Sequence, residues 1–223
     1  MNPAWAGILA IVLAGPAAAP IHVSFPTSDG GVVYADQYGK GDRGVVLAHG
    51  GRFDKESWRN QALLLARAGF RVLAIDFRGE GPSPSGTQGP SPEEGRPFDV
   101  LAAAHYLRET GAKSISVVGA SMGGDYAAQA AEAEPAQIDR LVMLASGAYT
   151  PLIRMKGRKL FILARNDANT EGPRLPRIRV QYEKASEPKE MVILEGSAHA
   201  QFIFQTSQGE RLMSEILRFL SEP

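Results

Sequence analysis

The stretch SISVVGASMGGDYAAQAAEA, Ser114 to Ala133, decides the fold. It begins with a short apolar run typical of a buried strand, and the alanines that follow Met122 recur at helical spacing. Ser121 lies between these two patterns, with Gly119 before it and a pair of glycines after it. A strand that runs straight into a helix must turn sharply, and glycine lets the two elements approach because it carries no side chain. The stretch therefore predicts a strand, a tight corner with Ser121 at its apex, and a helix.

Strand and helix patterns alternate along the rest of the chain. A leading pair of strands surrounds an Asp-Gly turn in IHVSFPTSDGGVVYADQY. Strands that alternate with helices are typical of a parallel sheet covered on both faces. We therefore expect an α/β fold with a mostly parallel, doubly wound sheet and an N-terminal antiparallel hairpin. The other strand patterns are GVVLAHGG, RVLAIDFRGEG, IDRLVMLAS, RKLFILARND and KEMVILEGSAH, and the other helical patterns are SWRNQALLLARAG, PFDVLAAAHYLRETG, RIRVQYEKA and GERLMSEILRFL.

The composition excludes several classes of protein. The chain has 223 residues, enough for one domain with a sizeable core. Its 24 acidic residues balance its 24 basic ones, so nothing indicates a nucleic-acid partner or a charged membrane surface. There is no cysteine, and the four histidines are scattered without ligand spacing, so we expect neither a metal site nor a cofactor.

The N-terminal 20 residues differ from the rest. Trp5 to Gly15, WAGILAIVLAG, is an uncharged apolar run that resembles the core of a secretory signal and is too short for a comfortable membrane span. No basic residue precedes the run, and Pro20 follows the small residues at its end, features that disfavour cleavage. We expect a targeting or anchoring segment at 1–20, hence an exported protein, before one domain at 21–223. The alternative is a segment that docks on a cytoplasmic domain.

Ser121 is expected at the carboxyl end of its strand, where ligands bind in such sheets. A serine hydroxyl becomes a good nucleophile only when a base takes its proton and an acid orients that base. Asp167 follows the strand pattern KLFILAR, and His199 follows MVILEG, so both are expected at the same edge of the sheet. We predict Ser121, His199 and Asp167 as nucleophile, base and acid. Asp76 is the second choice for the acid, ahead of Asp125 and Glu195.

The sequence resembles the α/β-hydrolase family, whose chain order is serine, acid, histidine. The resemblance extends from about Ile21 to the C-terminus and rests on HGG, DFRGEGPS and GASMGG together with the Asp167 and His199 positions. It implies that Ser121 lies on a nucleophile elbow. It also implies that the backbone amides of Met122 and Gly51, with Arg52 as the neighbouring option, bind the developing oxyanion.

The sequence differs from two subgroups of that family. Arg52 stands where the HGGG subgroup of lipases and esterases has another glycine. Dienelactone hydrolases are similar in size but use a cysteine nucleophile, which this chain lacks. The sequence therefore favours neither subgroup.

The predicted function follows from these residues and from what covers them. The connection ASGAYTPLIRMKGR, between the last two strand patterns before Asp167, is too short for a cap domain over the site. His105 is expected in the core and not in the site, because it shares a helical face with apolar residues. We expect an open site and a carboxylesterase that acts on a small ester, without a nucleic-acid partner. A peptidase or amidase, a thioesterase, a lipase, and a non-catalytic ligand-binding protein are the alternatives. The sequence predicts no oligomeric state.

Overall fold

The computed structural model describes residues 19–84, 91–147 and 149–222. The apolar segment at 5–15 lies outside this part of the chain. Two short 3-10 helices occur, at Lys55–Trp58 and Ala200–Gln205. The α-helices are α1 (Arg59–Arg67), α2 (Pro92–Glu109), α3 (Met122–Ala133), α4 (Arg174–Lys184) and α5 (Gly209–Ser221). The strands are β1 (Ile21–Pro26), β2 (Val32–Tyr38), β3 (Arg43–Ala48), β4 (Phe70–Asp76), β5 (Ser114–Ala120), β6 (Arg140–Leu144), β7 (Arg158–Ala164), β8 (Ala168–Asn169), β9 (Gly172–Pro173) and β10 (Lys189–Leu194).

An eight-stranded sheet forms the centre of the molecule, in the order β1-β2-β4-β3-β5-β6-β7-β10. The pairs β1–β2 and β2–β4 are antiparallel, and every other pair in this sheet is parallel. The two-residue strands β8 and β9 form a separate antiparallel pair. The expected mostly parallel sheet with an N-terminal antiparallel hairpin is therefore confirmed.

Helices cover the central strands. Consecutive residues of β3 and β5 are buried, so both faces of the sheet are shielded from water there. Helices α2 and α3 pack on each other and on β5, while α1 packs on β4. In the part of the chain that the structure describes, no helix is both long enough and apolar enough to cross a membrane.

The parallel register places the strand ends that matter at one edge of the sheet. Ala48 at the end of β3 pairs with Gly119 of β5, and Ala120 pairs with Leu144 of β6. Farther along, Leu194 at the end of β10 pairs with Ala164 at the end of β7. The segments that follow β3, β5, β7 and β10 therefore emerge on the same side, as the sequence predicted.

Helix α2 begins earlier than its apolar pattern indicated. The pattern suggested a start at Pro97, but the helix starts at Pro92 and contains Pro97. Its first turns pack on a buried polar group: a Cβ on Gly95 would lie 2.0 Å from Nη1 of Arg78. Apolar periodicity does not report packing of this kind. Residues 85–90, ahead of this helix, lie outside the described residues.

The core position expected for His105 is wrong. Its side chain is 43% exposed, and its Nε2 lies 3.4 Å from a carboxylate oxygen of Glu134. Leu101 and Ala102 on its helical face are buried, but Phe98 on that face is exposed, and the histidine extends to solvent beside α3.

Arg78 joins three elements in a buried ionic cluster just after β4. Its side chain is 2% exposed and donates to both carboxylate oxygens of Asp29, in the β1–β2 turn, at 2.5 and 2.8 Å. It also donates to Oδ1 of Asp99, on α2, at 2.7 and 2.8 Å, and Asp99 is fully buried. The hydrogen bond with Arg78 lowers the pKa of Asp29 to about 2. This interaction therefore stabilises the fold above the usual aspartate pKa of 3.8 and is lost as the pH falls towards 2.

Replacing Arg78 with methionine is expected to lower the free energy of unfolding by about 3–5 kcal/mol, because it leaves the buried Asp99 carboxylate without its cation. Urea denaturation at pH 7 measures the change. Arg165→Met is the control: Arg165 pairs with Glu195 in an exposed position, so its replacement should leave the midpoint nearly unchanged. Equal midpoints for the two variants would contradict a stabilising role for the cluster.

Candidate active site

Ser121 occupies a strained corner between β5 and α3. Its backbone has φ 49° and ψ −119°, a left-handed φ that costs a non-glycine residue about 1–3 kcal/mol. The surrounding backbone fixes this conformation: the Ser121 N–H donates to Leu144 C=O at 2.8 Å, and the Ser121 C=O accepts from the amides of Gly124 and Asp125. The corner therefore presents the serine side chain at the carboxyl end of the strand.

The glycines of this corner are required by close contacts. A Cβ on Gly119 would lie 2.5 Å from Gly124 Cα, and one on Gly124 would lie 1.8 Å from Ser146 Oγ. A Cβ on Gly123 would lie 2.5 Å from the carbonyl oxygens of residues 48 and 49, at the end of β3. Any side chain at these positions would push the strand, the helix and the neighbouring turn apart.

Three side chains form a hydrogen-bonded chain at this corner. His199 Nε2 lies 2.8 Å from Ser121 Oγ, and His199 Nδ1 lies 2.7 Å from Asp167 Oδ2. Because an ionised carboxylate only accepts hydrogen bonds, Nδ1 carries the ring proton and Nε2 is free to accept from the serine hydroxyl. Asp167 is fully buried, while the His199 side chain is 28% exposed. The arrangement can transfer a proton from Ser121 to a base that solvent or a substrate can reach.

A cation accompanies the buried carboxylate. Arg174, the first residue of α4, has its Nε 3.4 Å from Asp167 Oδ1, and its backbone N–H donates to Asp167 C=O at 2.9 Å. At this distance the guanidinium attracts the carboxylate electrostatically. The position of Arg174 was not foreseen from the sequence.

The other acids considered from the sequence are engaged elsewhere. Asp76 accepts from the Lys55 side chain at 2.6 Å and from its backbone N–H at 2.8 Å. Asp125 accepts from the Gly147 N–H at 2.8 Å. Glu195 forms its exposed pair with Arg165. Asp167 is the acid that the structure places against His199.

The start of α3 and the turn after β3 lie beside Ser121. Met122 is the first residue of α3, and its N–H precedes the first intrahelical bonds, where amides point outward at the positive end of the helix. The turn after β3 approaches from the other side: a Cβ on Gly50 would lie 3.6 Å from Ser121 Cβ, and one on Gly51 would lie 3.6 Å from Met122 Sδ. Gly51 and its neighbour Arg52 are both exposed. This is the geometry from which an oxyanion site can be built.

His49 supports that turn from inside. It is fully buried, its Nδ1 lies 2.9 Å from Gly50 C=O, and its Nε2 accepts from the Phe77 N–H at 3.4 Å. Burial lowers the pKa of His49, so the ring is neutral at pH 7. The side chain therefore fixes the turn without placing a charge there.

The segment from 145 to 157, which connects β6 and β7, begins at the Ser121 corner. Ser146 Oγ faces Gly124, and Gly147 donates to Asp125. The described residues of this connection, all except residue 148, contain no helix. No helical cap therefore stands between β6 and β7 in the part that the structure describes.

Comparison with known proteins identifies the family to which this fold and site belong. The model of the family described as alpha/beta hydrolase fold matches residues 44–181, and the chain belongs to this family. The matched range includes Ser121 and Asp167.

Individual proteins show the same relationship. The chain is 40% identical over 85 residues to a Rattus norvegicus protein provisionally named protein-lysine deacylase ABHD14B, covering 37% of this chain and 40% of the relative. It is 31% identical over 121 residues to a non-heme chloroperoxidase of Streptomyces lividans, covering 54% of this chain and 43% of that protein. The chain thus spans about two fifths of the length of these curated relatives.

A solved structure matches over more of the chain. The esterase Pf2001 of Pyrococcus furiosus superposes with a TM-score of 0.72 over 91% of this chain and 93% of the esterase, at 18% identity. At that identity, the similarity establishes the fold.

Proposed function

We propose that the protein is a serine hydrolase that cleaves carboxylic esters through an acyl-enzyme intermediate. The observation that carries the proposal is the continuous hydrogen-bonded chain from Ser121 Oγ through His199 to the buried Asp167 at a strained strand-to-helix corner. Backbone strain at a corner of this kind is stored where a reactive side chain must be held exposed. Membership of the α/β-hydrolase family supports a hydrolase.

Each residue then has a role in the reaction. Ser121 Oγ attacks the ester carbonyl carbon while His199 Nε2 takes the hydroxyl proton, and the same proton passes to the leaving alcohol as its bond to the acyl carbon breaks. Asp167 orients His199 and offsets the charge that the ring gains. The amides of Gly51 and Met122 donate to the oxyanion of the tetrahedral intermediate. Water deprotonated by His199 then attacks the acyl group and releases Ser121.

The surroundings of the site favour small substrates. The turn that carries Gly51 is exposed, the described part of the 145–157 connection adds no helix over Ser121, and His199 remains partly exposed. A long acyl chain gains binding energy only from apolar surface that covers it, at most about 0.8 kcal/mol for each fully buried methylene. An open site offers little of that gain.

Short acyl esters are therefore expected to react with a kcat/KM at least equal to that of long ones. A series of p-nitrophenyl esters from acetate to decanoate, each held below its solubility limit, measures this trend. Catalysis gains from chain length only when the added methylenes are bound in the transition state. A steady rise of kcat/KM along the series would indicate an acyl tunnel and favour a lipase instead.

Amide deacylation is the second candidate. The 40% identity to a relative with a deacylase name favours it, over the part of the chain that the match covers. Matched acetyl substrates separate the two reactions: p-nitrophenyl acetate against a peptide with an N-acetylated lysine. A kcat/KM for the peptide at or above that for the ester would replace the esterase proposal with a deacylase.

A further inference from the structure

Gln201 is a buried side chain that bridges two turns of the candidate site. It is 5% exposed and lies in the 3-10 helix that follows His199. Its Oε1 accepts from the Gly50 N–H at 2.8 Å, across 151 residues of sequence, and its Nε2 donates to Ser57 Oγ at 2.8 Å. One side chain thus connects the histidine turn to the turn after β3.

The direction of these hydrogen bonds is fixed by their partners. The Gly50 N–H can only donate, so the amide oxygen of Gln201 must face it and the NH₂ group must face Ser57. Ser57 Oγ accepts that bond and donates its own proton to Asp54 C=O at 2.5 Å. Each of these three hydrogen bonds therefore pairs a donor with an acceptor, and only one orientation of the Gln201 amide allows this.

The residue that Gln201 holds belongs to the proposed oxyanion site. Gly50 C=O accepts from the Phe53 N–H at 3.0 Å and faces His49 Nδ1 at 2.9 Å. Gly51 N–H is the other end of that same planar peptide, so its direction is fixed when Gly50 C=O is fixed. Gln201 accepts a hydrogen bond from the Gly50 N–H, and His49 contacts the Gly50 C=O. Both backbone polar groups of this glycine are therefore held by side chains.

The other end of the bridge is tied to the base. Ala200 separates His199 from Gln201 and adopts φ 50°, a left-handed conformation, although it is a buried non-glycine residue. This turn directs His199 towards Ser121 and Gln201 towards Gly50. We propose that Gln201 is a positioning residue that keeps the base His199 and the oxyanion donor Gly51 at the separation the reaction requires. This proposal rests on the proposed function of the site.

Loss of the bridge should reduce turnover more than binding. Proton transfer to His199 and donation by Gly51 are needed together in the transition state, and a displacement of about 1 Å in such a site costs about 100-fold in rate. The ground-state ester makes little use of either group. Gln201→Met, which keeps the length of the side chain and removes its hydrogen bonds, is therefore expected to lower kcat by about 10- to 100-fold with little change in KM.

The experiment compares Gln201→Met with Gln205→Met, an exposed glutamine of the same 3-10 helix. Reactive sites are titrated with a fluorophosphonate, and kcat and KM for p-nitrophenyl acetate are expressed per titrated site, so that a loss of folded protein is not mistaken for a loss of rate. The rate of phosphonylation, which needs both His199 and the oxyanion donors, is a second readout. The control should match the wild type in all of them.

The result that supports the proposal is a fall in kcat and phosphonylation rate confined to Gln201→Met. A kcat per site within twofold of wild type, or a change in KM alone, would overturn it. If that variant does not fold, Ser57→Ala decides: it frees one end of Gln201, so a severalfold lower kcat at an unchanged melting temperature supports the bridge and an unchanged kcat overturns it. Wild-type protein that is not labelled at all would instead contradict the proposed function.

Discussion

Ser121→Ala is expected to lower kcat for ester hydrolysis by about six orders of magnitude, the scale seen when the nucleophile of such an enzyme is removed. The reason is chemical, because alanine keeps the Cβ and fits the same strained backbone but has no oxygen to form the acyl-enzyme. The corner should remain folded, since its backbone hydrogen bonds to Leu144, Gly124 and Asp125 do not involve the side chain. Turnover of p-nitrophenyl acetate and the thermal midpoint measure the two effects.

Ser116→Ala is the matched control for this prediction. Ser116 is buried on the same strand, β5, and has no assigned part in the reaction. It should keep a kcat close to that of the wild type. Retained turnover in Ser121→Ala at a normal melting temperature would show that another group attacks the substrate.

Asp167→Asn is expected to lower kcat by about 10⁴-fold, the scale known for this change in a serine–histidine–acid site. An asparagine amide can donate to Nδ1, which would leave the proton on Nε2 and prevent the ring from accepting from Ser121. The pair with Arg174 would also be lost, because the neutral amide no longer attracts that cation. The loss is measured as kcat for p-nitrophenyl acetate, expressed per reactive site titrated with a fluorophosphonate.

Asp76→Asn separates the two candidate acids. Asp76 is equally buried but pairs with Lys55, so its replacement should lower the melting temperature while changing kcat per site far less than Asp167→Asn does. The reverse ranking of the two kcat values would move the acid role to Asp76 and would be incompatible with the 2.7 Å contact between Asp167 and His199.

The features that could be predicted are those that repeat locally in the sequence. A buried parallel strand is a continuous apolar run, and this pattern predicts β5. The alanines at helical spacing after Ser121 predict α3. Parallel strands also end at one edge, which places residues that follow different strands side by side. The contacts of His199 with Ser121 and with Asp167 could therefore be anticipated, although the three residues are far apart in the chain.

The features that could not be predicted depend on polar side-chain contacts that no local apolar pattern indicates. Gly95, in the part of α2 that precedes the apolar pattern, packs on the guanidinium of Arg78, and no local pattern indicates that contact. Arg174 reaches Asp167 through the turn formed by β8 and β9, and nothing in its spacing indicates that contact. Gln201 is likewise one glutamine among several until the fold places it against Gly50.

The measurement that tests the central claim most directly is the site of covalent attack. Wild-type protein is treated with a fluorophosphonate, and intact-mass and peptide mass spectrometry count and locate the adduct, with Ser121→Ala as the reference. The structure predicts one adduct per chain, on Ser121, formed in parallel with the loss of esterase turnover, and none in the variant. An adduct on another residue, or full turnover in protein that carries the label on Ser121, would contradict the assignment of Ser121 as the nucleophile.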